Sequence, residues 1–473
     1  MPGLPPRPAP ARPRRAGAWA ALACLCALAL GAGPRARADA GEGLREEQVA
    51  DSPYPAEFRA RVQAAIERGV RWLREAQQAD GSWPAVFGGA YRSGHTALGA
   101  LTLLKCGVRA DDPAIQRAFA WLARQDVDRT YDAGVLLMAL AARYAPAVET
   151  FAAEETERYG SSSRPKDPCA TSISEQDEAW MKRLVDWLLA QQNADGVWRY
   201  PGPEDAPSDL SNTQYALLGL EAADRCGTVV PPKAWLAALT WLLDKQEVFG
   251  RPCLYRGNEV RGRYRFQWEE PALARGFRYV PGEAQPRPTG SMTTAGLAGL
   301  IICQSRLWGT RRFTGEVRKR TREGIRDAMA WLQQHYDVET NPVQPPQPGE
   351  AGAGEQGEDG ARRGRWRDRD PWYAYYMYGL ERSGILGRFR FLGERDWYLD
   401  GAEALMGQQA PQGAFGHAVD TCFALLFLKR ATSRHAAPVI TPSDPPPPAQ
   451  RAPATTPAVP APAPPTAPRA PGR

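Results

Sequence analysis

The sequence predicts an all-α fold in which about six pairs of helices form a closed ring, an α/α toroid. Three observations carry this prediction. A helical unit that ends in Trp-Leu occurs repeatedly along the 473 residues, each copy is followed by a second helix that is apolar on nearly all sides, and an apolar fraction of 43% suffices for a large core. Six pairs that bury their second helices would complete one ring.

The first 38 residues have the three parts of a secretory signal. A basic region precedes an apolar run at 16–30, and residues 36–38 form a small-x-small cleavage site. About 15 apolar residues are too few to span a bilayer. We therefore expect residues 1–38 to be a cleaved signal peptide and residues 39–57 to be a linker. The mature chain is expected to be periplasmic or secreted, without a transmembrane segment.

The charge balance argues against one class of partner. The whole chain has 59 Lys and Arg against 53 Asp and Glu, but six arginines and no acidic residue lie in the first 38 positions. The mature chain is therefore electrically neutral, with 53 residues of each sign. Because the mature chain has no net positive charge to attract a polyanion, we expect no nucleic-acid partner.

The cysteine count excludes a disulfide framework. Six cysteines follow the signal, spread over more than 400 residues. Four of them lie in apolar helical stretches and are interpreted as small core residues, namely Cys106, Cys226, Cys303 and Cys422. A single bridge between the two loop cysteines, Cys169 and Cys253, stays open.

The first helix of each pair is predicted from a unit with fixed offsets. Segments 68–83 and 183–198 both contain Trp-Leu, then Gln, Gly and Trp at the same spacing, and weaker copies begin at residues 121, 241, 331 and 404. Gln at a helix end can bond unpaired carbonyls, Gly permits a positive φ, and Trp packs over the junction. We therefore assign a structural role to Gln77, Gly81, Trp83, Gln192, Gly196 and Trp198.

The second helix of each pair has little or no polar face. These helices are predicted at 96–105, 130–144, 213–223, 293–304, 372–382 and 421–429. Because the first helices carry one charged face, the second ones are expected to be enclosed by them. Pro/Gly-rich and charged insertions at 145–172, 249–290 and 337–370 are interpreted as surface loops. The helical domain is thus assigned to 58–433, and the Pro/Ala-rich segment 434–473 is predicted to be disordered.

Segment 68–83 matches the QW motif of squalene and oxidosqualene cyclases position for position. The region from about 58 to 432 resembles the prenyltransferase and squalene-oxidase repeat family, whose members fold as α/α toroids. The family includes triterpene cyclases and the β subunits of protein prenyltransferases. Within it, the chain looks most similar to exported bacterial repeat proteins of undefined function.

The resemblance implies a test for cyclase chemistry, because triterpene cyclases protonate their substrate with an Asp of a D-x-D-D-T motif. The nearest segment is 126–130, Asp-Val-Asp-Arg-Thr, in which Arg129 replaces the last Asp. A guanidinium beside Asp128 stabilises its carboxylate form, whereas a general acid must hold its proton. We therefore predict a non-cyclising protein and interpret 126–130 as a polar loop that enters an inner helix.

The resemblance to prenyltransferase β subunits implies a zinc site made from an Asp-x-Cys and a His-Thr at two inner-helix starts. Here Asp420 and Cys422 open the sixth inner helix, and His95 opens the first. These helices are neighbours in a closed ring, and the three side chains with one open position suit catalytic zinc. The alternative is that Asp420 is a helix N-cap, Cys422 a core residue and His95 a polar helix-start residue.

A ring of this kind also predicts a ligand cavity. All inner helices run parallel, so their N-termini meet at one mouth and favour an anion such as diphosphate or carboxylate. Arg129 and Asp128 stand at one of these helix starts. The aromatic helix 372–382 supplies further candidates, Trp372, Tyr373 and Tyr376, whose rings suit apolar or cationic ligands.

Two main functions remain open at this level. One is an exported toroid that binds a hydrophobic small molecule or another protein. The other is a zinc-dependent transferase acting on an isoprenoid or lipid-like substrate, with Asp420, Cys422 and His95 as ligands. A purely structural scaffold is a third interpretation, so whether the chain is an enzyme is also open.

Overall fold

The computed structural model describes residues 45–48, 54–86, 89–145, 172–202, 207–261, 264–280, 287–345 and 372–432. The predicted signal peptide and the Pro/Ala-rich tail lie outside the described residues, as do most of the insertions predicted at 145–172 and 337–370. In the part that is described, no helix is both long and apolar enough to cross a membrane.

The described chain is mostly helical, as the sequence predicts. Its twelve helices are α1 Ala56–Glu75, α2 Arg92–Lys105, α3 Pro113–Leu122, α4 Thr130–Ala142, α5 Glu175–Gln191, α6 Leu210–Arg225, α7 Pro232–Lys245, α8 Gly290–Leu307, α9 Gly315–Gln334, α10 Tyr373–Gly387, α11 Trp397–Met406 and α12 Ala418–Lys429. Every Trp-Leu repeat ends an odd-numbered helix or lies in its last turns, and every predicted inner helix coincides with an even-numbered one.

Odd- and even-numbered helices differ in how much of their surface is buried. In α1 only six of the twenty residues are buried, and they lie on one face. In α10 all fifteen residues are buried, and in α8 only Arg306 falls outside the buried class. An amphipathic helix needs one covered face, whereas an apolar helix must be enclosed by others, so the sequence pattern accounts for this difference.

The even-numbered helices contact one another in a fixed order. The contacting pairs are α2–α4, α4–α6, α6–α8, α8–α10, α10–α12 and α12–α2. Each even helix therefore has two even neighbours, and the order of contacts returns to its starting helix. The odd helices pack against these even ones, as α5 does against α4 and α6.

Glutamine side chains connect successive odd helices. In each case Nε2 donates one hydrogen bond to a carbonyl near its own turn and one to a carbonyl of the next odd helix. The bonds join Gln77 to Gly81 and Ala114, Gln192 to Gly196 and Ala234, Gln246 to Arg275 and Gly324, and Gln409 to Gly413 and Ala65, at 2.6–3.0 Å. The last of these runs from α11 back to α1.

The turns after Gln77 and Gln192 need glycine and are covered by tryptophan. Gly81 has a φ of +97°, and Gly196 has a φ of +86°. Trp83 Nε1 donates to the carbonyl of Leu73 at 2.8 Å, and Trp198 makes the equivalent bond to Leu188. Both indoles are fully buried, so the motif satisfies carbonyls at the helix end while it seals the core.

A β-hairpin occupies the insertion that the sequence analysis interpreted as a surface loop at 249–290. Strand β2 (Arg251–Arg261) pairs antiparallel with β3 (Tyr264–Ala274), and β1 (Arg45–Gln48) pairs with the other edge of β3. Buried and exposed side chains alternate along β2: Tyr255 is buried against α9, whereas Leu254 is half-exposed. This period of two is typical of a strand and was overlooked when the segment was interpreted as a loop. A short pair, β4 (Phe391–Leu392) and β5 (Arg395–Asp396), precedes α11.

The cysteines differ from the sequence interpretation at two positions. Cys226 is disulfide-bonded rather than a free core thiol. Cys253 is a free thiol, so the bridge considered between Cys169 and Cys253 is not formed. Cys106, Cys303 and Cys422 are free thiols as well, and the last two are buried.

Candidate functional site

Aromatic side chains from the even helices fill the middle of the bundle. The Tyr131 ring of α4 lies 4.6 Å from the Tyr215 ring of α6, which lies 6.2 Å from the Tyr375 ring of α10. Phe423 of α12 follows at 5.8 Å from Tyr375, and Gln214 Nε2 donates to the Tyr375 hydroxyl at 2.9 Å. That bond joins α6 to α10, which are not adjacent in the order of neighbours. A layer of side chains therefore closes the interior at this level.

Arg382 lies against this layer, on the side of the C-terminal ends of the even helices. Its exposed fraction is 1%, and its guanidinium carbon lies 4.2 Å from the Tyr378 ring centroid and 5.8 Å from that of Tyr215. The two rings interact with the cation through their faces. None of its three side-chain nitrogens has a partner at hydrogen-bond distance, although the Tyr215 and Tyr378 hydroxyls lie near enough to interact with the guanidinium. Other arginines of the described residues have only Nε buried without a partner.

Two further buried polar atoms of the described residues have no partner at hydrogen-bond distance, and one of them interacts with Arg382. They are the Tyr215 hydroxyl and Gln214 Oε1. Burial raises the pKa of Tyr215 to about 12, although the Arg382 cation acts in the opposite direction. The phenol is therefore neutral at physiological pH, and its proton is available for donation.

A cleft leads from Arg382 toward solvent. Its wall comes from the C-terminal halves of α2, α4, α6 and α10, and from the residues that follow α12. The cavity volume is ≈ 40 Å³, enough for a few water molecules or a small head group. Apolar lining residues predominate, among them Leu101, Met138, Leu218 and Leu386. A mostly apolar cleft with a few polar groups is the usual form of a small-molecule site.

The acidic side chains near the cleft are bonded to groups other than Arg382. Glu221 of α6 receives hydrogen bonds from Arg306 of α8 and from Arg225, and Asp224 also pairs with Arg306. Glu381 is fully buried and accepts from the Thr432 backbone N–H at 3.0 Å and from its hydroxyl at 2.7 Å. Burial raises the pKa of Glu381 to about 7.

The three predicted zinc ligands do not converge. Asp420 pairs with His417 Nδ1 at 3.0 Å, whereas Cys422 is buried on another face of α12, where it interacts with Thr102 of α2. Residues two apart on a helix point in different directions, and here each of the two side chains is engaged with a different partner. Burial, and secondarily the nearby His417, lowers the pKa of His95 to about 4. Among the described residues, no three His, Cys, Asp or Glu side chains are placed to hold a metal ion.

The predicted cavity residues separate into two groups. Tyr373 donates to the Val338 carbonyl at 2.6 Å and Tyr376 to that of Asp337 at 2.9 Å, so both hydroxyls bind the segment after α9. Tyr375 and Tyr378, on other faces of α10, contact the aromatic rings of the interior. Half-exposed Trp372 precedes α10 and lies 6.3 Å from Tyr375 between ring centroids.

Arg129 and Asp128 lie at the start of α4, as predicted. The Arg129 guanidinium carbon is 5.1 Å from the Tyr91 ring centroid, and Nε is 3.8 Å from Asp128 Oδ1. The Asp128 side chain is 79% exposed. This pair belongs to the N-terminal end of the even helices, whereas Arg382 and its cleft belong to the C-terminal end.

Arg382 and Asp132 are among the buried charged residues that were not predicted from the sequence. Asp132 lies in the first turn of α4, where it bonds the Gly94 N–H of α2, and burial raises its pKa to about 7. A side chain at Gly94 would overlap Asp132, so α2 and α4 approach closely there. Acidic residues are common in the first turn of a helix, so the position of Asp132 in the sequence does not indicate that it is buried.

Comparison with known proteins adds no relative to this description. No family model matches the chain, and no curated protein matches it either.

Proposed function

We propose that the protein is an exported binding protein that holds a small molecule with an anionic group in the cleft beside Arg382. The observation that carries the proposal is the buried guanidinium with three unpartnered nitrogens. A buried charge is costly unless it is paired and hydrogen-bonded. Since the neighbouring carboxylates bond other groups, a ligand is the natural source of the missing negative charge.

The proposed scaffold is an α/α toroid of six outer–inner helix pairs. Two observations support it: the contacts of the even helices return from α12 to α2, and Gln409 bonds α11 to α1. The repeated Gln, Gly and Trp positions support membership of the prenyltransferase and squalene-oxidase repeat family. The proposed protein does not cyclise triterpenes, because exposed Asp128 beside Arg129 is unsuited to holding a proton.

Export through the N-terminal signal is part of the proposal. The disulfide at Cys226 supports it, because disulfides persist mainly in oxidising compartments. The zinc-dependent transferase is not carried forward, since Asp420, Cys422 and His95 do not assemble into a ligand set.

The proposal is tested by isothermal titration calorimetry of the full chain with octanoate and with neutral octanol. We expect octanoate to bind at least about tenfold more tightly, since a charged hydrogen bond contributes about 1.5–3 kcal/mol. Arg382→Met should remove this preference, and the matched control Arg124→Met, which loses the same charge at an exposed position, should retain it. Equal binding of the two ligands, or an unchanged preference in Arg382→Met, would contradict the proposal.

A further inference from the structure

We infer that two copies of the protein associate as a symmetric dimer through the outward face of the β2–β3 hairpin. This face, called the hairpin face below, comprises the exposed residues of the two strands, namely Pro252, Leu254, Arg256, Glu269, Pro271 and Leu273. The dimer does not depend on a ligand at Arg382. Three properties of the hairpin face support it: an apolar surface, bonded strand edges, and a pattern of residues that is complementary to itself.

Four of the six residues of the hairpin face are apolar, although the solvent side of an antiparallel sheet is ordinarily polar. Leu254 is 50% exposed and Leu273 is 38% exposed, and each stands opposite a proline of the other strand. Val248 and Phe249, in the segment that leads into β2, are 70% and 84% exposed and extend the apolar surface. An exposed apolar patch of a few hundred Å² is typical of an interaction site.

The edges of the hairpin are already bonded, so a partner is directed to its face. On the outer edge of β2, the Arg256 N–H donates to Gln333 Oε1 at 3.1 Å, and the Leu254 carbonyl accepts from Gln333 Nε2 at 3.4 Å. Along the other edge of β3 lie β1 and the Asp327 side chain, which accepts from the Leu273 N–H at 3.3 Å. A peptide that adds a strand needs a free edge, and these contacts occupy it.

The charges favour a neutral partner. The hairpin face holds one basic and one acidic residue, Arg256 and Glu269, which pair with each other at 2.9 Å. The chain after the predicted signal peptide has 53 residues of each sign. A strongly charged protein, a nucleic acid or an anionic membrane therefore gains no electrostatic attraction, whereas two neutral copies do not repel each other.

A half-turn about an axis that runs between the two strands makes the hairpin face complementary to itself. It places each residue of β2 opposite the β3 residue of the second copy that is its cross-strand neighbour within one chain. Leu254 then faces Pro271 of the second copy, and Arg256 faces Glu269 of the second copy. Apolar residues thus meet apolar residues and each charge meets its opposite. Aligned sheets stack in this way about 10 Å apart, and two-fold dimers are the commonest oligomers.

The size of the patch sets the strength of the dimer. Stable interfaces bury about 800 Å² on each partner, more than the apolar part of the hairpin face provides. We therefore expect a dissociation constant on the order of 10–100 μM.

Sedimentation velocity of the full chain, from about 1 to 500 μM, measures the association. Leu254→Glu should weaken it at least about tenfold, because an unpaired carboxylate would be buried against an apolar surface. Val229→Glu, the matched control at a valine that is 80% exposed and outside the hairpin, should leave it unchanged. A wild type that stays monomeric over the whole range would overturn the dimer. Equal effects of the two substitutions would overturn its location.

Charge reversal tests the arrangement of the two copies. In Arg256→Glu both charged positions of the hairpin face are acidic, and in Glu269→Arg both are basic, so each variant alone should associate at least about tenfold more weakly. An equimolar mixture should recover association to within about threefold of the wild type, because opposite charges face each other only in the mixed dimer. Reversal of an exposed ion pair of α5, by Lys182→Glu or Asp186→Lys, should have no effect. A mixture no stronger than its components would overturn the proposed facing of the two copies.

Discussion

Two arginines in neighbouring helices, Arg306 of α8 and Arg382 of α10, are both removed from solvent but have opposite surroundings. The Arg306 side chain is 7% exposed and bonds Glu221 and Asp224 of α6. Arg382 is 1% exposed and has aromatic rings around it, with no carboxylate bonded to it. The difference indicates that Arg306 stabilises the contact between two helices, whereas the charge of Arg382 is not matched in this way, which is the basis of the proposed function.

The largest expected effect is on the paired arginine. Arg306→Met removes the cation shared by Glu221 and Asp224 and leaves the almost wholly buried Glu221 with Arg225 alone, so we expect a loss of about 3 kcal/mol in the free energy of unfolding. Urea denaturation followed by circular dichroism measures this. Adding Glu221→Gln and Asp224→Asn to Arg306→Met should recover much of the lost stability. If Arg306→Met alone were as stable as the wild type, Arg306 and Arg382 would not differ in their contribution to stability.

The second prediction concerns Glu381, the acid that precedes Arg382. If it paired with Arg382, its pKa would lie below the ordinary value, but burial raises the pKa to about 7. The folded state thus retains the proton to higher pH than the unfolded state does. This contribution to stability is complete below about pH 4.5 and decreases as the pH rises to about 7.

Glu381→Gln removes this loss, because a neutral amide carries no charge to bury and its oxygen can still accept from Thr432. At pH 8 the variant should be about 3 kcal/mol more stable than the wild type, with little difference at pH 4. Urea unfolding at a series of pH values measures the difference. A variant that is destabilised at pH 8 would show that Glu381 is ionised and paired in the folded protein.

The third prediction is a gain in stability, in contrast to the loss expected for Arg306→Met. Arg382→Met replaces an unpaired buried charge by an apolar chain of similar length, so without ligand the variant should be about 2 kcal/mol more stable. Chemical denaturation of the two proteins side by side tests this. A loss of stability as large as that of Arg306→Met would mean that Arg382 has a partner within the chain.

The smallest expected effect is that of the Glu381 charge on ligand affinity at Arg382, the next residue in α10. As Glu381 loses its proton near pH 7, its charge opposes an anion at Arg382, and octanoate affinity should fall about threefold between pH 6 and 8. Calorimetry at the two pH values gives the ratio, and Glu381→Gln should abolish the change. An affinity that rises with pH would contradict the assigned charges.

The helix pairs could be predicted from the sequence because their signals are local. Trp-Leu with Gln, Gly and Trp at fixed offsets marks an odd helix and its turn, and an apolar run marks the even helix that follows. Gln77 and Gln192 illustrate this, since each bonds the carbonyl of the Gly four residues later. The second bond of each glutamine, to the next odd helix, depends on packing and has no local signal.

Arg382 was missed because its helix was predicted to end there. The next residues, 383–387, contain two glycines and read as a turn. In the structure α10 continues to Gly387, and a side chain at Gly384 would overlap the ring of Trp397. Tertiary packing thus extends the helix and moves Arg382 from its end to the interior.

The zinc prediction failed for a related reason. Asp420 and Cys422 lie close together in sequence, but α12 begins at Ala418, so the two side chains leave the helix in different directions. The same residues in an extended segment would not have been separated in this way. The outcome therefore depended on one helix boundary, which sequence patterns define poorly.

The central claim is that Arg382 is kept for an anionic ligand, and unfolding of the wild type and Arg382→Met with and without saturating octanoate tests it most directly. We expect the variant to be the more stable of the two without ligand, and octanoate to stabilise only the wild type. A variant that is less stable than the wild type, and is stabilised by octanoate to the same extent, would contradict it.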